Sequence, residues 1–135
     1  MQRKSISWIL EFTSKLSDAE KVKCLAANPS VAPILKFAYD PDIVWLLPDT
    51  DPPYTPCDFA NLDNELYSQL RKLYLFVKGG NDNLSGIKRE RLFIDMLESV
   101  LPADAKLLLA IKNKTLPYDI SSKIVLQAFP GLYRG

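Results

Sequence analysis

A chain of 135 residues with 47% hydrophobic and 24% charged residues has the composition of one ordinary globular domain, not of a disordered tail, and is large enough to bury a core without staples. It has no histidine and two cysteines, Cys24 and Cys57, which excludes a usual zinc set and removes the commonest general base. The net charge of +1 is unevenly spread: residues 1–67 hold 6 Lys and Arg against 10 Asp and Glu, and residues 68–135 hold 11 against 6, so a basic half suited to polyanions follows an acidic one.

Along the chain, helical stripes alternate with proline stops. Ser5 is placed to cap a first helix with Ile6, Ile9, Leu10, Thr13 and Leu16 on one face. Ser17-Asp18-Ala19-Glu20 is a capping box for a second helix, whose apolar positions are Val22, Leu25 and Ala26 and which Asn28-Pro29 stops. Ser30 is placed to cap a third, with Ile34, Leu35, Phe37 and Ala38, ending at Asp40-Pro41. The run Asp42–Leu47 reads as a buried turn, since no strand partner is evident.

Residues 48–61 carry Pro48, Pro52, Pro53 and Pro56, too many for a regular helix, and read as a stiff crossover packed on the core by Tyr54 and Phe59. Leu62, Leu66, Leu70, Leu73 and Val77 predict a long helix over 62–77 that Gly79-Gly80 ends. Further helices are predicted from Ser85-Gly86 to about Val100 with Ile87, Leu92, Ile94, Met96 and Leu97 apolar, from Pro102 to Ile111, and from Ser121 or Ser122 to Phe129. The expected fold is all-α: a single domain over 1–135, a compact bundle of about six to eight helices with a proline-rich crossover loop. Trp8, Phe12, Leu35, Trp45, Leu70, Leu73, Leu97, Leu108 and Phe129 are its expected core.

No catalytic set stands out, so no enzyme, cofactor or metal is expected. Lys78-Gly79-Gly80 lacks the downstream Gly-Lys-Ser/Thr of a phosphate loop, and the spacing of Asp49, Asp51 and Asp58 matches no calcium loop. No apolar run approaches the length of a membrane span, and the opening Met1-Gln2-Arg3-Lys4 is followed by Glu11 and Lys15, unlike a signal peptide; the expected location is the cytoplasm, with both thiols reduced.

Two helix starts lie beside basic residues. Ser85, Gly86, Lys88 and Arg89 form one, with Lys78 upstream; Ser121, Ser122 and Lys123 form the other, with Lys112 and Lys114 before it. Free amides at a helix start suit a phosphate, and nearby cations add to the attraction. These ten residues are the expected contacts to a duplex DNA backbone, made without reading bases.

Residues 84–133 resemble the end of the N-terminal helical DNA-binding domain of phage-type ATP-dependent DNA ligases. The resemblance rests on Leu84-Ser85-Gly86, on Asp104–Lys112, on Leu116, on Ile120-Ser121-Ser122-Lys123-Ile124, and on the closing Phe129-Pro130-Gly131-Leu132. Residues 6–47 resemble that family's opening helices more loosely. Pro117, Tyr118 and Asp119 stand where the family carries an Arg and a Gly, and no Lys-x-Asp-Gly nucleotide-attachment motif occurs. The resemblance implies a stand-alone phage relative that does not seal nicks: a non-enzymatic module gripping double-stranded DNA through its basic half, or one that kept the fold and binds a host or phage protein.

Overall fold

Ser5, Ser17, Ser85 and Ser121 each hold an extended backbone and turn the side-chain oxygen onto an amide three residues ahead, so each starts a helix. In the computed structural model, which describes residues 4–48, 50–56 and 65–133, seven α-helices follow in order. They are α1 (Ile6–Ser14), α2 (Asp18–Ala26), α3 (Ala32–Tyr39), α4 (Glu65–Gln69), α5 (Gly86–Ser99), α6 (Pro102–Lys112) and α7 (Ser122–Ala128). Short 3-10 segments, Pro29–Val31 and Leu70–Phe76, precede α3 and continue α4. The fold is all-α, and the described residues contain no strand.

At the centre lies α6. It buries Ala105, Leu107, Leu108 and Ile111 together with Asp104 and Lys112, and packs against α1, α3 and α5. A helix enclosed on several sides needs partners for its polar groups. Asp104, fully buried in its first turn, accepts the Ser7 amide at 3.0 Å and so serves one of the free N–H groups at the start of α1. The second seam runs between α2 and α7, where Leu25 meets the same core as Ile124 and Val125.

Several expectations from the sequence are corrected. α2 packs Val22 on the core as expected but exposes Ala26 and buries Lys21: the Lys21 ammonium lies 3.5 Å from Asp119 and 3.9 Å from Asp18, which draws it under the edge of the bundle. Ser30 caps nothing; it sits inside the 3-10 turn ahead of α3, and α3 starts at Val31 without a side-chain cap. The run Asp42–Leu47 finds a partner after all. Leu46 donates to the Phe76 carbonyl and the Lys78 amide to the Val44 carbonyl, both at 2.8 Å, around an antiparallel bridge between Trp45 and Val77.

The predicted helix over 62–77 changes its winding. Residues 62–64 lie outside the described residues, α4 is one short helix, and Leu70–Phe76 is 3-10. Three residues per turn put Leu70, Leu73 and Phe76 in one row, and Leu73 and Phe76 are fully buried. Phe76 meets Phe93 of α5 edge-on at 5.3 Å. Met96 and Leu97 are buried as expected, but Ile87 is 84% exposed, and Arg89 and Phe93 complete the buried face of α5. In the proline loop Tyr54 packs against the core as expected, whereas Phe59 lies outside the described residues.

Candidate interaction surface

Of the ten residues expected to meet phosphate, Lys78, Ser85, Gly86, Lys88, Ser121 and Lys123 are exposed, while Arg89, Lys112, Lys114 and Ser122 are buried or half-buried. Three of the six cations among them have their donors engaged inside the chain. Arg89, 7% exposed, donates from Nε to the Leu75 carbonyl at 3.1 Å and from Nη2 to those of Asn81 and Leu84 at 3.2 and 3.0 Å. Leu75 lies near the end of the 3-10 segment and Asn81 and Leu84 in the turn before α5, and the rigid guanidinium fork joins all three. Lys112, 4% exposed, donates to Pro48 at 2.7 Å, Thr50 at 3.4 Å and the Asn113 side chain at 3.2 Å, which pins the proline loop.

Lys114 takes a left-handed backbone, φ 59°, and turns its ammonium onto the carbonyls of Phe37 and Asp40. These are last-turn carbonyls of α3, where a cation is favoured. Burial pushes the Lys114 pKa down, with Asp40 opposing the shift. The sequence reading places Arg89, Lys112 and Lys114 at a DNA contact; in the structure each makes hydrogen bonds to carbonyls of its own chain.

Lys78, Gly86, Lys88 and Lys123 remain exposed. Ser85 accepts the Lys88 amide at 3.2 Å and Ser121 the Ile124 amide at 3.3 Å, the ordinary capping role, while Ser122 shares a hydrogen bond with the Tyr133 hydroxyl. The two helix starts belong to different neighbourhoods: α5 packs on α6 and α7 on α2.

A different surface stands out on α1. Trp8 and Phe12, expected in the core, are 46% and 48% exposed. Their placement follows from helix geometry. With Ile6, Ile9, Leu10 and Thr13 on the buried face, Trp8 and Phe12 fall about 200° and 240° around the axis from Ile6. The two rings stack with centroids 5.3 Å apart and planes 8° from parallel, and the Lys4 ammonium lies 5.2 Å from the Trp8 ring centre. Lys4, Trp8 and Phe12 thus form a ladder at four-residue spacing.

Beside the ladder is an open groove of about 190 Å³, with Trp8, Ile9, Phe12 and Tyr67 as its apolar walls and Lys4, Cys24, Asn28 and Ser30 as its polar ones. The Tyr67 hydroxyl donates to the Lys4 carbonyl at 2.8 Å, which fixes the wall to the start of α1. Cys24 is a free thiol 3.0 Å from the Thr13 hydroxyl. That hydroxyl already donates to the Ile9 carbonyl at 2.8 Å, so the thiol is the donor of the pair. Asn28 donates to the Cys24 carbonyl at 2.8 Å.

A second depression, about 270 Å³, lies between the Leu70–Phe76 segment and α5, with Lys72 and Asp95 among its walls. Among the described residues, no three His, Cys, Asp or Glu side chains gather closely enough to hold a metal ion, and no helix is long and apolar enough to cross a membrane. Asp49, Asp58 and Cys57 lie outside the described residues.

A family model described as a family of unknown function, DUF6433, matches residues 9–118, from within α1 to the turn after α6. No curated protein and no solved structure matches the chain.

Proposed function

The chain belongs to this family of unknown function, and from that premise we propose that it is a non-enzymatic interaction module, an all-α scaffold that presents the α1 face to another protein. One observation carries the reading: Trp8 and Phe12, two large rings each about half exposed, stack beside a concave groove instead of entering the core. Exposed aromatic residues next to a pocket are the usual anchors of protein interfaces, since they bury much area at small cost in side-chain entropy. The free thiol of Cys24 suits a reducing, cytoplasmic setting.

Binding to the duplex backbone is the weaker reading. The resemblance to ligase DNA-binding domains and the exposed Lys78, Lys88 and Lys123 favour it. Against it, Arg89, Lys112 and Lys114 are already bonded within the chain, and moving them to phosphate would break those hydrogen bonds.

The test compares the parent chain with Trp8→Ala/Phe12→Ala and with Lys88→Ala/Lys123→Ala. Each is used to capture partners from a lysate of the source cell, with and without nuclease, and each is titrated with duplex DNA at low salt by fluorescence anisotropy. The interaction reading expects a protein retained by the parent and by the lysine variant, lost with the aromatic variant and indifferent to nuclease. Low-salt duplex binding lost in the lysine variant and kept in the aromatic variant would establish the other reading.

A further inference from the structure

We propose, building on that interaction reading, that the α1 groove takes a protein segment that sets one apolar side chain into the cavity and an adjacent Asp or Glu against Lys4.

The size of the groove argues for a single side chain. A volume of about 190 Å³ falls below the roughly 300–1,000 Å³ of pockets that enclose a small-molecule ligand or cofactor. It suits one anchor of a peptide whose remainder lies across the surface.

The stacking geometry argues against a nucleobase. A base needs an open aromatic face to lie on. Phe12 stacks on the indole and the Lys4 ammonium lies 5.2 Å from its ring centre, so both groups compete with a base for the Trp8 ring. What Trp8 presents to a partner is its edge, which packs well against aliphatic and aromatic side chains.

Charge sets the second half of the chemistry. Among the described residues, Lys4 is the one formal charge that lines the groove, and no carboxylate lines it. The polar groups of Cys24 and Asn28 are engaged with Thr13 and with the Cys24 carbonyl. The groove therefore offers aromatic carbon with a single ammonium at its rim. A carboxylate beside the anchor complements that ammonium, whereas a Lys or Arg there meets like charge in a partly desolvated place.

The experiment selects random displayed peptides on the full chain and then titrates the enriched peptides while following the Trp8 indole N–H signal by NMR. The expected winners carry a large apolar residue next to Asp or Glu. Their affinity should fall about tenfold or more with Trp8→Ala, and several-fold with Lys4→Glu. Peptides with Lys in place of the acid should regain affinity for Lys4→Glu. Lys4 is exposed, so that reversal leaves the fold intact and decides the matter even if Trp8→Ala does not fold. Winners that need Trp8 and Phe12 but carry no acid and ignore Lys4→Glu overturn this chemistry and leave the interaction reading standing. Winners indifferent to Trp8 and Phe12, or none at all, overturn both.

Discussion

The Lys112 ammonium lies 2.7 Å from the carbonyl oxygen of Pro48, a contact that ties the end of α6 to the start of the proline loop. Thr50 gives it a second carbonyl at 3.4 Å. Lys112→Met keeps the apolar stem and removes the donor. Hydrogen bonds from a charged group contribute about 1.5–3 kcal/mol, and water reaches part of this exposed loop, so the cost should be about 1–2 kcal/mol. Urea unfolding measures it, and limited proteolysis between residues 50 and 56 should speed up in parallel. Unchanged stability together with unchanged cleavage would show that the loop is held by other contacts.

Arg89 makes a sharper case because one fork serves three carbonyls. Arg89→Lys keeps the charge but not the geometry, and should cost about 1.5–3 kcal/mol. Lys88→Ala, its exposed neighbour, should stay within about 0.5 kcal/mol of the parent. Equal effects at the two positions would mean that the carbonyl contacts of Arg89 do not stabilise the turn.

Gly80 and Gly86 should respond in opposite ways to the same substitution. A Cβ on Gly80 meets the Tyr74 carbonyl oxygen at 1.8 Å, and that oxygen is backbone and cannot swing aside. Gly80→Ala should therefore cost about 2 kcal/mol or more. A Cβ on Gly86 meets nothing within 4 Å, and Gly86→Ala should be neutral or stabilise by up to about 1 kcal/mol through the unfolded chain. Thermal unfolding of both variants checks the contrast; a stable Gly80→Ala would show that the 74–80 turn relaxes freely.

What could be read in the sequence is what local chemistry fixes. Ser5, Ser17, Ser85 and Ser121 were legible as caps because a cap needs only its own next three residues. Pro29, Pro41 and Gly79 punctuated correctly for the same reason. The roles of Lys112 and Lys114 are not legible, since they depend on carbonyls brought in by distant chain, and that of Arg89 depends on the course of the turn that precedes its helix. Trp8 and Phe12 differ. The stripe of Ile6, Ile9, Leu10 and Thr13 assigns the buried face of α1, and both rings lie off it; large size does not bury a side chain that periodicity places outside. The long helix over 62–77 failed because leucines spaced by three and four fit both windings, and burial of Phe76 favours the tighter one.

Alkaline pH should destabilise the fold. Burial is the main cause that pushes the hydroxyls of Tyr39, Tyr118 and Tyr133 above their ordinary value of 10.0; nearby acidic groups add to it, while Ser122 opposes it at Tyr133. A raised folded pKa means that the folded state holds its protons longer than the unfolded one. The stability this contributes is complete below the unfolded pKa and is lost as pH rises through the folded values. Lys114, pushed below its ordinary 10.5, acts the other way, but it is one group against three. Unfolding midpoints should thus drop above about pH 10, and ultraviolet titration should show late-ionising tyrosines. Tyr118→Phe should remove part of the drop; a midpoint flat through that range would show that the three hydroxyls titrate as in the unfolded chain.

The exposed rings of α1 should respond to truncation unlike a leucine of the core. Leu108 is fully buried in α6, and Leu108→Ala should cost about 2–5 kcal/mol, transfer plus cavity. Trp8 and Phe12 are larger, yet each keeps about half of its surface in water. Truncating either one opens no enclosed cavity. It loses partial burial and the ring pair, which contributes about 0.5–1.5 kcal/mol, and alanine returns about 0.5 kcal/mol in helix propensity. Trp8→Ala and Phe12→Ala should therefore each cost under about 1.5 kcal/mol, well below Leu108→Ala, despite removing more atoms. Guanidinium unfolding of the three variants gives the comparison. A Trp8→Ala cost matching that of Leu108→Ala would place the indole among the residues that hold the fold together, and α1 would no longer have a face to spare for a partner.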